Sequence, residues 1–197
     1  MKRLLFWLSA IVLGVAVGAG GAVAAMGMGA RMGVEQVGGW TINRLAGSTA
    51  ADPVTRAIVA RIGLLALAQE ETIYLQMTRD EAGRPLREAC RYELTGGALP
   101  ARWWAVTIYA GDNYLPVNHD DAFSVDASRA QTDAAGRWRA EVQAERGDAT
   151  NWISSRAAGE GFSLTLRLYN PEDAARTRPR GIPVPTLRTI GCAEDAP

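Results

Sequence analysis

Three kinds of hydrophobic spacing succeed one another along the chain. The first is continuous. Residues 4–28 carry no charge and are broken only by Ser9 and several glycines; Lys2 and Arg3 precede them, and the next charge is Arg31. About 20 apolar residues cross a bilayer as a helix, so the run is long enough to span one. It is longer than the core of an ordinary signal peptide, which favours a retained anchor. Ala22-Val23-Ala24 has the small-x-small form of a cleavage site, so removal near Ala24 is the alternative. The basic pair at the start places the N-terminus in the cytoplasm and the rest of the chain on the far side of the membrane. Residues 1–30 thus read as a signal-anchor and residues 31–197 as one soluble domain.

The second spacing is helical. Gly38, Gly39 and Trp40 open the domain, and Asp52-Pro53 then supplies an N-cap oxygen and a proline at the first helical position. Val54, Ile58, Ile62 and Leu65 come next at helical intervals, with Arg56 and Arg61 off the stripe. This predicts one amphipathic helix of about four turns packed on a sheet.

The third spacing is two. Ile73, Leu75 and Met77 alternate with Tyr74 and Gln76; Cys90, Tyr92 and Leu94 alternate with Arg91 and Glu93. Trp104, Val106 and Ile108 alternate with Trp103, Ala105, Thr107 and Tyr109, and the two apolar faces mark a central strand. Phe123 and Val125 flank Ser124. Trp138, Ala140 and Val142 alternate with Arg137, Arg139 and Glu141; Phe162, Leu164, Leu166 and Leu168 alternate with Ser163, Thr165 and Arg167. Residues 187–192 form a weaker seventh strand. Short alternating runs between turns predict a β-sandwich or barrel. Two turns share one form, Asp80-Glu81-Ala82-Gly83-Arg84 and Asp133-Ala134-Ala135-Gly136-Arg137. Asp suits the first turn position and Gly the left-handed one, so each joins antiparallel strands. The proline-rich stretch 178–185 is expected to run extended along the surface.

Composition narrows the functional classes. The 197 residues hold 21 basic and 21 acidic side chains, and Lys2 is the only lysine. The balanced, scattered charge lacks the basic stripe of a nucleic-acid binder. Cys90 and Cys192 are too far apart for a metal motif; outside the cytoplasm they are available to pair, and two buried thiols are the alternative. Gly14 and Gly18, continued by Ala22, would let two membrane helices approach and form a homodimer. Gly27-Met28-Gly29 and Gly33 fail the spacing of a dinucleotide loop, and no cofactor is expected.

His119 is the only histidine, so Ser-His or Cys-His chemistry would have to use it. Asn118, His119, Asp120 and Asp121 form a candidate polar site, but one nitrogen ligand without H-x-x-x-H spacing argues against metal, and none is expected. Trp103, Trp104 and Trp152 are candidates for stacking on a ligand. Adjacent Trp103 and Trp104 point to opposite faces of their strand, and filling the core is the plainer role for such residues.

Several stretches, taken in order, resemble one family. They are residues 71–74, the turn at 80–83, Leu99-Pro100-Ala101-Arg102-Trp103-Trp104 continuing to Tyr109, Asn151-Trp152, and residues 162–171 ending in Arg167-Leu168-Tyr169-Asn170-Pro171. They resemble the bacterial Domain of Unknown Function family 1214, over roughly residues 40–192. The resemblance implies an antiparallel, jelly-roll-like β-sandwich. In longer relatives a second uncharacterised domain precedes this one; here a membrane segment stands in that place, as in short forms that look like Gram-negative envelope proteins. The family supplies no catalytic residues. Three functions stand as expectations: a membrane-tethered periplasmic domain with a binding or structural role, an envelope hydrolase using His119 with nearby carboxylates, or a carbohydrate or small-ligand module using exposed tryptophans.

Overall fold

A computed structural model describes residues 2–29, 33–44, 46–61 and 67–193. Helix α1 (Lys2–Gly29) is 28 residues long, about 42 Å at 1.5 Å per residue, against a hydrocarbon core of about 30 Å. Within it, Lys2–Ala24 is long and apolar enough to cross a membrane, and none of that stretch is buried against the protein. Arg31 lies outside the described residues.

Helix α2 (Pro53–Arg61) starts where Asp52 and Pro53 predict. Asp52 Oδ1 accepts the N–H of Val54 at 2.8 Å and of Thr55 at 3.0 Å, and Oδ2 accepts the Thr55 hydroxyl at 2.7 Å. Ile62 and Leu65 lie outside the described residues. The described part of α2 neighbours α1 and contributes no residue to the domain core.

The domain is two sheets packed face to face. The larger runs in the order β1 (Val34–Val37), β2 (Trp40–Asn43), β3 (Thr72–Met77), β10 (Glu160–Pro171), β6 (Ala101–Tyr109) and β7 (Ser124–Asp126), with β4 (Leu86–Arg87) on the other part of β10. The smaller runs β11 (Thr186–Cys192), β5 (Cys90–Gly96), β8 (Trp138–Gln143) and β9 (Asn151–Ser154). All seven predicted strands form. The alternation does not disclose β1, β2, β4 and β9, which have two to four residues each and are too short to display it.

Every strand pair is antiparallel except β8–β9. A parallel return normally needs a long crossover. Here the overlap is four residue pairs, Ala140↔Asn151 to Gln143↔Ser154. That is about 13 Å of strand, and the short loop at 144–150 can span it. The Ser154 N–H also donates to the Ala122 carbonyl at 2.7 Å, joining this edge of the smaller sheet to the loop before β7.

The core is built from the inward positions of both sheets. Trp104 on β6 stacks on Trp138 of β8 with ring centres 4.8 Å apart, and Tyr92 on β5 meets Phe162 of β10 edge-on at 6.1 Å. Gly96 lies opposite Trp138, where a Cβ would sit 2.5 Å from the indole ring, so only glycine leaves room for the stack. At one open end, Trp40 is fully buried and its indole N–H donates to the Pro185 carbonyl at 2.7 Å. The sheet ends near there are closed by α3 (Asp173–Thr177) and the 3-10 turn Pro179–Gly181. Cys90 and Cys192 face each other in the β5–β11 register and form a disulfide.

The two Asp-x-Ala-Gly-Arg turns have one hydrogen-bond pattern. Asp80 Oδ1 accepts the N–H groups of Ala82 and Arg84 at 2.9 and 2.8 Å, while Oδ2 takes the Arg84 guanidinium at 2.8 Å. Asp133 does the same with Ala135 and Arg137. Gly83 and Gly136 take the left-handed φ of 77° and 73° that each turn needs. The difference is burial: the Asp80 side chain is 3% exposed and that of Asp133 is 45%. Burial alone would raise the Asp80 carboxyl, but the bonds from Arg84 and Ala82 outweigh it and hold the group below its ordinary value. A depressed folded value means stability that is complete at neutral pH and is lost as the pH falls below about 4. Asp80→Asn is therefore expected to cost about 1–3 kcal/mol at pH 7 and to flatten the acid limb of the stability curve. Asp133→Asn should move either far less. Urea titrations of both variants between pH 3 and 7 check this, and equal effects would contradict it.

Candidate functional site

The outward face of the larger sheet gathers residues that are distant in sequence. On β10 the inward positions are Phe162, Leu164, Leu166 and Leu168, all fully buried, so Ser163, Thr165, Arg167 and Tyr169 point outward. The register sets Arg167 opposite Tyr74 on β3 and Ala105 on β6, and Tyr169 opposite Thr72 and Trp103. Thr165 pairs with Thr107, and Ser163 with Tyr109.

These positions make one aromatic stripe with a cation in it. The Arg167 guanidinium lies 5.3 Å from the Tyr109 ring centre and 5.9 Å from that of Tyr74. It donates to the Tyr109 hydroxyl and, at 3.3 Å, to Thr107 Oγ1. Tyr74 is fixed from the other side, its hydroxyl accepting the Leu67 N–H at 3.1 Å. Further along, the rings of Trp103 and Tyr169 are 5.2 Å apart and tilted by 54°. Burial pushes the Tyr169 hydroxyl up, against the pull of Arg167, so it stays a neutral phenol at physiological pH.

The edge strand braces the stripe. The Trp103 indole N–H donates to Ser128 Oγ at 2.8 Å. Ser128 is held in place by Asp126, whose Oδ1 accepts the N–H groups of Ser128 and Arg129 and whose Oδ2 takes the Arg129 guanidinium at 2.7 Å. Tyr74, Trp103, Tyr109, Arg167 and Tyr169 are each half-buried.

The residues singled out from the sequence separate in space. Trp103 is on this face. Trp104 is a correction: only 7% exposed and stacked on Trp138, it belongs to the core and is not open to a ligand. Trp152 is half-buried opposite Glu141 in the smaller sheet, its N–H donating to the Gln143 carbonyl at 2.9 Å.

The Asn118–Asp121 loop is pinned to the end of β9. Asn118 donates to the Arg156 carbonyl at 2.7 Å, and Asp120 Oδ2 accepts from Ser154 Oγ at 2.6 Å and from the Arg156 guanidinium at 2.9 Å. Asp121 has a left-handed φ of 52°. The Ser154 hydroxyl and the Arg156 guanidinium hold the Asp120 carboxyl below the usual range, so it is not poised to take a proton at neutral pH.

Among the clefts on the described surface are three shallow ones. Most of their charged groups are already paired, whereas Thr72 Oγ1 in the smallest is buried without a hydrogen-bond partner among the described residues. One of about 760 Å³ lies beside Thr95, Arg137, Glu141 and Asn151. In it Arg137 is paired with Asp133, and Asn151 spends its amide on Gln131 and Arg139. A second, about 910 Å³, runs between Leu99-Pro100 and the α3 segment, where Glu35 is paired with Arg44 and Arg180. A third, about 60 Å³, is bounded by Gln69, Thr72 and Arg176. His119 is exposed, makes no hydrogen bond among the described residues, and lines none of these three clefts.

Sequence reasoning missed Tyr74, Tyr109, Arg167 and Tyr169. Alternation already put each opposite an apolar neighbour, but only the strand register brings them together.

Comparison with known proteins places the chain within a wider group. No curated protein matches the chain. Among solved structures, the VPA0106 protein of Vibrio parahaemolyticus is 22% identical, with a TM-score of 0.58 over 72% of this chain. An uncharacterised protein of Burkholderia cenocepacia is 16% identical, with a TM-score of 0.47 over 62% of this chain. The chain spans 36% of the first protein and 31% of the second, and the likeness to the first is one of fold. A family model described as Protein of unknown function (DUF1214) matches residues 71–173, a stretch that contains Tyr74, Trp103, Tyr109, Arg167 and Tyr169. With more than half of its length matched, the chain belongs to that family of unknown function, DUF1214.

Proposed function

We propose that this is a membrane-tethered domain of the bacterial cell envelope that faces the periplasm and binds a ligand across the aromatic outer face of its larger sheet. The carrying observation is the stripe of Tyr74, Arg167, Tyr109, Trp103 and Tyr169 on three adjacent strands. Side chains that serve only as a solvated face are normally long, charged and paired. Here large rings are partly open and mutually braced, an arrangement suited to stacking on the flat face of a sugar or another ring. The compartment rests on α1 and on the Cys90–Cys192 bond, since disulfides persist outside the reducing cytoplasm. In this reading the tether keeps the face close to the envelope surface.

Tryptophan fluorescence and NMR titration of the detergent-solubilised chain with soluble envelope saccharides tests the reading. Saturable changes are expected on the Trp103 and Tyr169 resonances. Trp103→Ala should weaken binding roughly three- to tenfold, the value of one aromatic contact of about 0.5–1.5 kcal/mol. Changes confined to the cleft beside Arg137 and Asn151, with Trp103→Ala binding as wild type, would contradict it.

A further inference from the structure

We propose that the ligand of this face is anionic, a saccharide bearing a carboxylate or a phosphate, and that Arg167 is the residue that holds the anion. The inference rests on reading the face as a binding surface and adds the ligand's charge.

Most arginines of the domain are answered by a carboxylate. Arg84, Arg91, Arg129, Arg137, Arg139 and Arg156 each have one within 4.0 Å. Arg167 has none among the described residues, although it is half-buried. Arg79, Arg102, Arg146 and Arg178 also have no carboxylate among the described residues, but they are exposed, where water answers the charge. A cation drawn partly out of water on a sheet face calls for a counter-charge.

The surroundings do not provide one. Arg167 is held by neutral groups only, the hydroxyls of Thr107 and Tyr109 and the rings of Tyr74 and Tyr109. Asp126 is the carboxylate nearest in the register, two strands away across Ala105, and it is taken up by Arg129 and two backbone N–H groups. Arg167 uses two of its five N–H donors on these partners, so the guanidinium is fixed in direction and keeps both charge and donors for an incoming oxyanion. The Trp103–Tyr169 pair, one outward position further along β10, provides aromatic surface for the ring that carries the anion.

The test uses the full chain in detergent micelles and three probes: tetragalacturonate, its fully methyl-esterified form, and galactose 1-phosphate. NMR follows the Arg167 Nε–H and the Trp103 indole N–H. The expected result is that tetragalacturonate or the sugar phosphate shifts both signals, and whichever binds tighter identifies the anion. The methyl ester should bind at least tenfold more weakly, and raising the salt should weaken the acid but not the ester. Arg167→Gln should remove the difference between acid and ester. The ester and salt comparisons use wild-type protein and so stand even if that variant fails to fold. If the ester binds as tightly as the acid and moves the same two signals, the anionic inference is overturned while the binding face stands. If no probe moves a signal on this face, both readings are overturned.

Discussion

Breaking the Cys90–Cys192 bond is expected to destabilise the domain by about 4–5 kcal/mol. The bond closes a loop with a sequence separation of 102 residues, and in the chain-entropy account a loop of about 100 residues is worth about 4.7 kcal/mol through the unfolded state. That is a large share of the roughly 5–15 kcal/mol that holds a domain together. The structure makes the effect local as well. β11 is an edge strand with one neighbour, β5, and its register is broken between Thr189 and Gly191. Its side chains alternate between exposed and half-buried, so little apolar packing secures it apart from Leu187 and Cys192. Urea unfolding of the Cys90→Ser, Cys192→Ser double variant should show a lower midpoint and a steeper slope, because the uncrosslinked chain exposes more surface. Amides of β11 should lose exchange protection before those of β6 and β10. A change below about 1 kcal/mol with β11 still protected would mean that packing, not the crosslink, holds the last strand.

Trp138→Ala is expected to cost about 3–5 kcal/mol, the range for emptying a large aromatic site in a core. Trp138 is 2% exposed, stacks on Trp104 across the two sheets, covers Gly96, and donates to the Gly97 carbonyl at 3.2 Å. Its removal leaves a cavity between the sheets and takes the stacking partner from Trp104. Chemical denaturation measures the loss, and the near-ultraviolet circular dichroism of the stacked pair should vanish with it. Trp103→Ala, half-exposed on the outer face, should cost much less and leave that signal in place. Equal losses for the two variants would contradict the assignment of one indole to the core and the other to the surface.

The sequence disclosed those parts of this molecule that repeat with a regular period. The inward runs of β3, β5, β6, β8 and β10 are long enough to alternate several times, and their buried apolar positions follow from the pattern, whereas Thr72, Ala105, Ser163 and Thr165 are buried on the other face. The paired turns at Asp80 and Asp133 were legible because a side chain bonding its own backbone is a local event. β4, with two residues, and β9, whose pairing is parallel, depend on partners far along the chain. For the site, the sequence nominated Trp103 but offered Tyr74, Tyr109, Arg167 and Tyr169 only as the ordinary outer positions of separate strands. Their meeting depends on Arg167 falling opposite Tyr74 and Tyr169 opposite Trp103, and register is set by the whole sheet. The lone histidine attracted attention by rarity, a property of composition that carries no geometry.

The central claim is a domain held outside the cytoplasm that stays attached to its membrane. The most direct measurement is the intact mass of the protein extracted from the membrane fraction of Gram-negative cells whose free thiols were alkylated before lysis. The predicted result is a chain that retains Lys2, Arg3 and the whole of α1 and carries no alkyl group, because Cys90 is bonded to Cys192. A soluble chain that begins near Ala25, or a membrane-bound chain carrying two alkyl groups, would contradict it.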